Sequence, residues 1–242
     1  MSKIDKIIAG VRAAAEPRIE LIKRAETTGP RVGIFASSFN PVTVAHEELM
    51  RRAATGFALD EVLALAGAAN ADKIAYDCSL EERIAMLAVD LAGNPGVSIG
   101  ISSHAFYVDM VCALQATYPA QTRLHFVMGF DTFERVLDPA DKYTARYHQR
   151  FGNASEALEY LLAHSRLIVA ARAGAGYDSM QAVLRGLPKS LASRISYLDF
   201  PADLGERSAT EVRERVRGGQ PISGLVSPAV EGYIRDAGLY KQ

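Results

Sequence analysis

A threonine and a histidine stand where a predicted strand gives way to a predicted helix. Thr43 and His46 follow a turn of small residues and the break at Asn40 and Pro41. Because residues three apart at a helix start share a face, both side chains can reach one bound anion. The helix N-terminus adds N–H groups and the positive end of the helix dipole. This spacing predicts a phosphate site.

The elements that position these two residues are a strand and a helix. Residues 31–36 are apolar without alternation, which is typical of a strand covered on both faces. From about Val44 onward, apolar residues recur at helical spacing. Further short apolar runs alternate with helical stripes along the chain, at 61–66, 97–101, 123–128, 167–171 and 195–198. The alternation predicts an α/β fold with a doubly wound parallel sheet, in which ligands bind at the carboxyl ends of the strands.

Length and composition agree with a soluble enzyme, and we expect a cytoplasmic protein. The chain has 242 residues, enough for one domain or for one domain with a small appendage. A net charge of -1 argues against nucleic-acid binding through a broad basic surface. Cys78 and Cys112 lack metal-ligand spacing and indicate a reducing compartment. The sequence shows neither a membrane-spanning apolar run nor a signal peptide.

The first part of the chain predicts a helical extension. Apolar residues of the segment 3–26 fall at helical spacing, and Pro17 divides them into two short helices. We therefore expect an extension over 1–30 and the main domain over 31–242. We favour a packing role for the extension over binding to a partner. The sequence leaves open whether the protein forms a homo-oligomer.

The string GIFASSFNPVTVAH at 33–46 resembles the signature of the nucleotidyltransferase superfamily, G-x-F-x-P-x-[HT]-x-x-H. Its Ser-Phe-Asn-Pro-x-Thr-x-x-His form is similar to that of nicotinamide mononucleotide (NMN) adenylyltransferases. Ala36 and Ala45 replace glycines that are usual in the superfamily. Both replacements are small, so phosphates can still approach the backbone. The resemblance implies a Rossmann-like sheet with C-terminal helices.

Two later motifs extend the resemblance. Gly129 and Asp131 match the family's G-x-D, in which the glycine lets ribose approach and the aspartate accepts its hydroxyls. Residues 208–213 resemble I-S-S-T-x-I-R, which implies that the Arg213 guanidinium makes a bidentate contact with phosphate oxygens. Ser208 also has the spacing of a helix-capping box. Lys73 is the candidate lysine for the triphosphate, although a solvated surface lysine is nearly as well supported.

The acceptor end is assigned by the same resemblance. Phe106 and Tyr107 can stack on a pyridine ring, and the chain lacks the tryptophan that many relatives use there. The stretch 131–143 resembles a fungal-type branch of NMN adenylyltransferases, which favours NMN over nicotinate mononucleotide. Arg135 and Tyr143 then belong to a lid over the acceptor, and Arg172 matches the arginine of V-x-x-R-x-G.

The reaction implied is transfer of AMP from ATP to NMN, with nicotinate mononucleotide also allowed, giving NAD and pyrophosphate. The acceptor's 5′-phosphate is already ionised, so in-line attack needs no general base. Mg²⁺ is expected mainly on the ATP phosphates, without a metal site of protein residues. The residues expected are His46, Thr43 and Arg213 for catalysis; Phe35, Ala36, Ser37, Ser38, Phe39, His46, Lys73, Gly129, Asp131, Ser208, Thr210 and Arg213 for ATP; and Asn40, Phe106, Tyr107, Arg135, Tyr143 and Arg172 for the acceptor.

Other functions remain open from the sequence. Another transferase of the superfamily, acting on phosphopantetheine or using CTP, would share the first motif, but the 129–139 stretch argues against it. A second alternative is a catalytically weak protein that senses a nucleotide. The replacements Ala36 and Ala45 leave this alternative open, whereas the presence of His46 and Arg213 argues against it. A class I tRNA synthetase would need a KMSKS-like loop, which the chain lacks.

Overall fold

The computed structural model describes residues 3–69, 77–138, 140, 142–143, 150–170, 176–205 and 207–241. The strands within these ranges are β1 (Ile19–Lys23), β2 (Arg31–Ser37), β3 (Glu61–Gly67), β4 (Val97–Ser102), β5 (Arg123–Gly129), β6 (Ser165–Ala170) and β7 (Ile195–Leu198). The helices are α1 (Lys3–Arg12), α2 (Val44–Gly56), α3 (Leu80–Asp90), α4 (Tyr107–Thr117), α5 (Phe130–Leu137), α6 (Ala154–His164), α7 (Tyr177–Arg185), α8 (Lys189–Ala192), α9 (Ala202–Gly205), α10 (Ala209–Arg217) and α11 (Pro228–Asp236).

The strands form one seven-stranded sheet in the order β1-β4-β3-β2-β5-β6-β7. All neighbouring pairs are parallel except β1 and β4, which are antiparallel. The chain runs outward from β2 through β3 to β4, and then returns to the other side of β2 with β5. The strand order therefore reverses between β2 and β5, the point at which such sheets bind ligands. The predicted doubly wound α/β fold is confirmed.

Alternating side chains of the central strands pack into two hydrophobic cores, one on each face of the sheet. Phe35 faces the core that α1, α2, α3, α10 and α11 cover. Ile34 and Phe126 face the core that α4, α5, α6 and α7 cover. Because both faces are buried, the strands carry apolar residues without the alternation of a half-exposed sheet.

The N-terminal segment differs from the prediction. Its first helix is α1, but the expected second helix is wrong, because Ile19–Lys23 forms β1. Ile19 pairs with Ser102 and Leu21 with Gly100 on β4. A run this short has no clear period, and hydrogen bonds to β4, more than seventy residues away, decide its structure. The domain boundary at residue 30 stays a prediction.

None of the helices in the described ranges has the length and apolar character needed to cross a membrane.

Candidate active site

A cavity of about 410 Å³ opens at the carboxyl end of the central strands. Its wall includes the ends of β2 and β3 and the first turns of α4, α5 and α10. These are the elements next to the reversal of strand order. The residues expected at both ends of the site line this one cavity: Ala36, Ser37, Ser38, His46, Phe106, Tyr107, Asp131, Arg135, Tyr143, Ser208, Thr210 and Arg213.

His46 is held in one orientation by the residues around it. Its Nδ1 accepts a hydrogen bond of 3.0 Å from the Thr43 backbone N–H. A backbone N–H can only donate, so neutral His46 carries its proton on Nε2. Nε2 lies 3.5 Å from Ser37 Oγ, another group of the cavity wall. The ring also contacts Phe35 and Phe39, with centroids 5.6 and 5.4 Å away. His46 therefore presents an N–H donor to the cavity.

Thr43 lies behind His46. It is 1% exposed, it precedes the first residue of α2, and its Oγ1 lies 3.0 Å from His46 Nδ1. His46 lines the cavity and Thr43 does not; that both side chains face a bound anion stays a prediction. The chain around Thr43 orients the histidine.

The N-terminus of α2 offers fewer donors than the sequence suggests. The Val44 N–H donates to the carbonyl of Leu225 at 3.0 Å, and the His46 N–H donates to Thr43 O at 2.9 Å. These N–H groups are used within the protein. The contribution of α2 to anion binding is then its dipole and the side chain of His46.

Arg213 on α10 brings a cationic side chain to the cavity wall. Ser208 caps this helix, since its Oγ accepts a 3.1 Å hydrogen bond from Glu211 N–H. Arg213 is 8% exposed; its Nη1 donates to Asn40 O at 2.6 Å and its Nη2 to Thr210 Oγ1 at 3.2 Å. The C-terminal motif therefore contacts the first motif directly.

The other end of the cavity is aromatic. The Phe106 and Tyr143 rings lie 5.9 Å apart, and the Tyr107 ring packs edge-on against Phe126 at 5.2 Å. Burial raises the pKa of Tyr107 above its ordinary value, so its hydroxyl stays protonated. Aromatic faces of this kind suit a flat ligand ring.

Asp131 and Arg135 form an ion pair on the first turns of α5. Arg135 Nη2 lies 3.3 Å from Asp131 Oδ2, and both side chains are about half exposed. Gly129 is the residue before α5 and Asp131 lies in its first turn, so the predicted G-x-D stands directly after β5. A hydrogen-bond acceptor, Asp131, and a cation, Arg135, thus line the same cavity as the aromatic side chains.

The other expected residues within the described ranges do not line the cavity. Phe35 and Phe39 pack in the core behind His46, and Gly129 ends β5. The Asn40 side chain is 1% exposed and is bonded to protein groups. Lys73 and Arg172 lie outside the described residues.

Sequence reasoning did not find Asp77, Arg217 and Tyr240. Asp77 is the carboxylate between Arg213 and Arg217, with Oδ2 and Oδ1 at 2.8 and 2.9 Å from them. Tyr240 OH donates to Asn40 Oδ1 at 2.9 Å. Each contact joins residues more than a hundred positions apart, so no local pattern signals it.

Arg83 also supports the site. It is 1% exposed and donates to Ser38 O at 2.7 Å and to Gly67 O at 3.1 Å. This guanidinium ties the loops after β2 and β3 together.

The fold and this constellation define a nucleotidyltransferase enzyme, with a histidine and an arginine at one end of a sheet-edge cavity. Comparisons with known proteins agree. The probable nicotinate-nucleotide adenylyltransferase of Geobacter sulfurreducens is 30% identical over 231 residues, covering 87% of this chain and 98% of that protein. The Moorella thermoacetica protein of the same description is 28% identical over 217 residues, covering 87% and 92%. The chain belongs to the nicotinate/nicotinamide mononucleotide adenylyltransferase family.

Solved structures share the fold. The nicotinic acid mononucleotide adenylyltransferase of Plasmodium falciparum, solved with NaAD, matches with a TM-score of 0.64 at 16% identity, covering 88% of this chain and 98% of that one. A nicotinate-nucleotide adenylyltransferase structure from Vibrio parahaemolyticus, described as putative in its name, matches with a TM-score of 0.51 at 16% identity, covering 88% and 97%. No family model matches the chain.

Proposed function

We propose that this enzyme transfers AMP from ATP to a pyridine mononucleotide, with nicotinate mononucleotide as the preferred acceptor and NMN as the alternative. The observation that carries the proposal is the single cavity that joins His46 and Arg213 to Asp131 and the aromatic end. A dinucleotide-forming reaction needs such a site, because two nucleotides must meet through their phosphates with their bases apart.

In this proposal the reaction takes place at the end of the cavity that carries His46 and Arg213, which we call the phosphate end. His46 donates from Nε2 to the α-phosphate or the departing pyrophosphate, and Arg213 adds a fixed positive charge. The acceptor's 5′-phosphate oxygen attacks the α-phosphorus in line, a P–O bond forms, and the bond to the pyrophosphate oxygen breaks. Proximity and charge stabilisation supply the rate enhancement, and no covalent enzyme intermediate is needed.

Metal is proposed to enter with the substrate. Mg²⁺ prefers phosphate oxygens and water, and when bound it neutralises charge on the triphosphate. No group of three His, Cys, Asp or Glu side chains in the described ranges is arranged to hold a metal ion. Among the described residues of the cavity wall, Asp131 supplies the carboxylate, and it is paired with Arg135. This donor set fits an ion held mainly by ATP phosphates.

The preference for nicotinate rests on two observations. The relatives that match over most of the chain are described as nicotinate-nucleotide adenylyltransferases. Arg135 lines the same cavity as the aromatic pair Phe106 and Tyr143, and its guanidinium is a group that can pair with a carboxylate on a pyridine ring. The likeness of residues 131–143 to a fungal-type branch supports NMN instead, so the two acceptors must be compared directly.

The experiment measures pyrophosphate release from ATP with each acceptor, for the wild type and for Arg135→Gln. We expect higher kcat/KM with nicotinate mononucleotide, and a loss of about tenfold on that acceptor alone in the variant, the cost of one charged pairing. Equal losses on both acceptors would remove Arg135 from acceptor selection. If neither acceptor supports the release of pyrophosphate from ATP, the proposed reaction is wrong.

A further inference from the structure

We propose that Asp77 is a positioning residue for AMP transfer, which holds Arg213 in the orientation that the transferring phosphates require. The proposal rests on the role given to Arg213 in the proposed function. Asp77 does not line the cavity, and it stands in the connection between β3 and α3. Its influence on the reaction would therefore pass through its neighbours.

Asp77 contacts three groups around the phosphate end. Its Oδ2 lies 2.8 Å from Arg213 Nε, and its Oδ1 accepts a 2.9 Å hydrogen bond from Arg217 Nη2. Oδ2 also accepts from Asn40 Nδ2 at 3.3 Å. One carboxylate thus joins the first motif to two arginines of α10.

The contact with Arg213 is an ion pair whose N–H is poorly aligned. Arg213 Nε has no hydrogen-bond partner with acceptable geometry, although Oδ2 is only 2.8 Å away. Asp77 therefore acts on Arg213 mainly through its charge, on the Nε side of the guanidinium. The opposite edge then carries both Nη groups.

The Nη groups are anchored but keep donors for a ligand. Each Nη has two hydrogens; Nη1 uses one on Asn40 O and Nη2 uses one on Thr210 Oγ1. Because the guanidinium is planar and rigid, fixing its Nε side fixes the direction of the remaining N–H bonds. A lysine could not be oriented in this way.

The direction in which ATP binding changes when Asp77 is neutralised distinguishes this positioning role from mere proximity to the triphosphate. A carboxylate near a triphosphate repels it, so removing the charge should tighten ATP binding if Asp77 does nothing else. If Asp77 positions Arg213, removing the charge should weaken ATP use even though a repulsion is lost. The two accounts predict opposite changes.

The experiment compares Asp77→Asn in the wild type and in Arg213→Lys, with steady-state kinetics and ATP titration. We expect kcat/KM for ATP to fall about tenfold in the wild-type background, a moderate loss for misplacing a catalytic group. In Arg213→Lys, which is itself impaired, the same change should cost less than about twofold, because the group that Asp77 orients is gone. Asp77→Glu keeps the charge, so it should retain more activity than Asp77→Asn.

A matched control is Glu211→Gln on the same helix. Glu211 pairs with Arg215 at 2.7 Å, outside the cavity wall. We expect its kinetics to stay within about twofold of wild type.

Three results would overturn the role of Asp77. They are wild-type or tighter ATP binding in Asp77→Asn, an equal loss in both backgrounds, and equal losses in Asp77→Asn and Asp77→Glu. If Arg213→Lys is silent, the phosphate-site assignment of the proposed function fails as well. If Arg213→Lys is impaired and Asp77→Asn is silent, only the positioning role fails. Should Asp77→Asn not fold, Asp77→Ala also removes the charge, and its comparison in the two backgrounds gives the same decision.

Discussion

Replacing His46 with alanine tests the phosphate end of the cavity. The change removes the Nε2 donor and leaves the backbone of α2 in place. One lost donor to developing charge typically costs 100- to 1000-fold in kcat, or about 2.7–4 kcal/mol of transition-state stabilisation. We expect His46→Ala to fall in this range with ATP and either mononucleotide acceptor.

The structure also sets the effect on stability. The half-buried His46 ring packs against Phe35 and Phe39, so its removal costs roughly 1–2 kcal/mol of folding free energy. That loss lowers the melting temperature by several degrees but leaves the enzyme folded at 25 °C. Kinetics are therefore measured on folded protein, with thermal unfolding followed in parallel.

Two companion variants make the interpretation specific. His46→Gln keeps an amide donor close to the Nε2 position and should recover about tenfold over His46→Ala. Thr43→Val removes the hydroxyl but keeps the backbone N–H that fixes the His46 tautomer, so it should lose less than about tenfold. His164→Ala, at the end of α6, serves as the control. The reasoning is refuted if His46→Ala keeps wild-type turnover, or if Thr43→Val is as severe as His46→Ala.

Three further predictions follow from the described contacts. Asp131→Asn should raise the Michaelis constant of a nucleotide substrate by about tenfold through a weaker ribose acceptor, whereas a loss of melting temperature with unchanged kinetics would indicate a structural aspartate. Burial and the neighbouring Asp90 raise the pKa of Glu47 to about 7, so its stabilising contribution is full below its ordinary pKa and is lost as pH rises through 7. Glu47→Gln should therefore gain melting temperature relative to wild type between about pH 5 and about pH 8, and a pH-independent difference would contradict this. Burial also raises the pKa of the Cys78 thiol, so iodoacetamide should label it at least about tenfold more slowly than the half-exposed Cys112, as mass spectrometry of the native enzyme can show. Equal labelling rates would mean that Cys78 is not protected.

The sequence predicted the features that depend on local pattern. The six strands from β2 to β7 were predicted from short apolar runs, and each lies within two residues of its expected place. The capping spacing at Ser208 is realised as a hydrogen bond to Glu211 N–H. These features depend on residues that are neighbours in sequence, so periodicity and capping patterns are sufficient to predict them.

The features that sequence missed depend on distant partners. The strand Ile19–Lys23 exists because β4 offers an edge to it, and its own residues suit a helix equally well. The place of Thr43 behind His46 follows from the capping geometry at the start of α2. The Asn40 side chain bonds Asp77, Cys78 and Tyr240, which are all distant in sequence. The roles expected for Thr43 and Asn40 toward the ligands stay predictions. Side-chain direction in a packed loop cannot be read from spacing alone.

If Arg213 binds ATP as proposed, the hydrogen bond from Tyr240 to Asn40 connects that binding to the local stability of the C-terminal segment. Asn40 accepts Tyr240 on its side chain and Arg213 on its carbonyl, and the tyrosine is 200 positions from it in sequence. Whatever fixes Arg213 therefore also favours the docked form of the segment after α11. By thermodynamic linkage, ATP should slow amide hydrogen exchange around Leu239 and Tyr240, although these residues lie outside the cavity wall. Reciprocally, local opening of this segment would lower the affinity for ATP before the sheet itself begins to unfold.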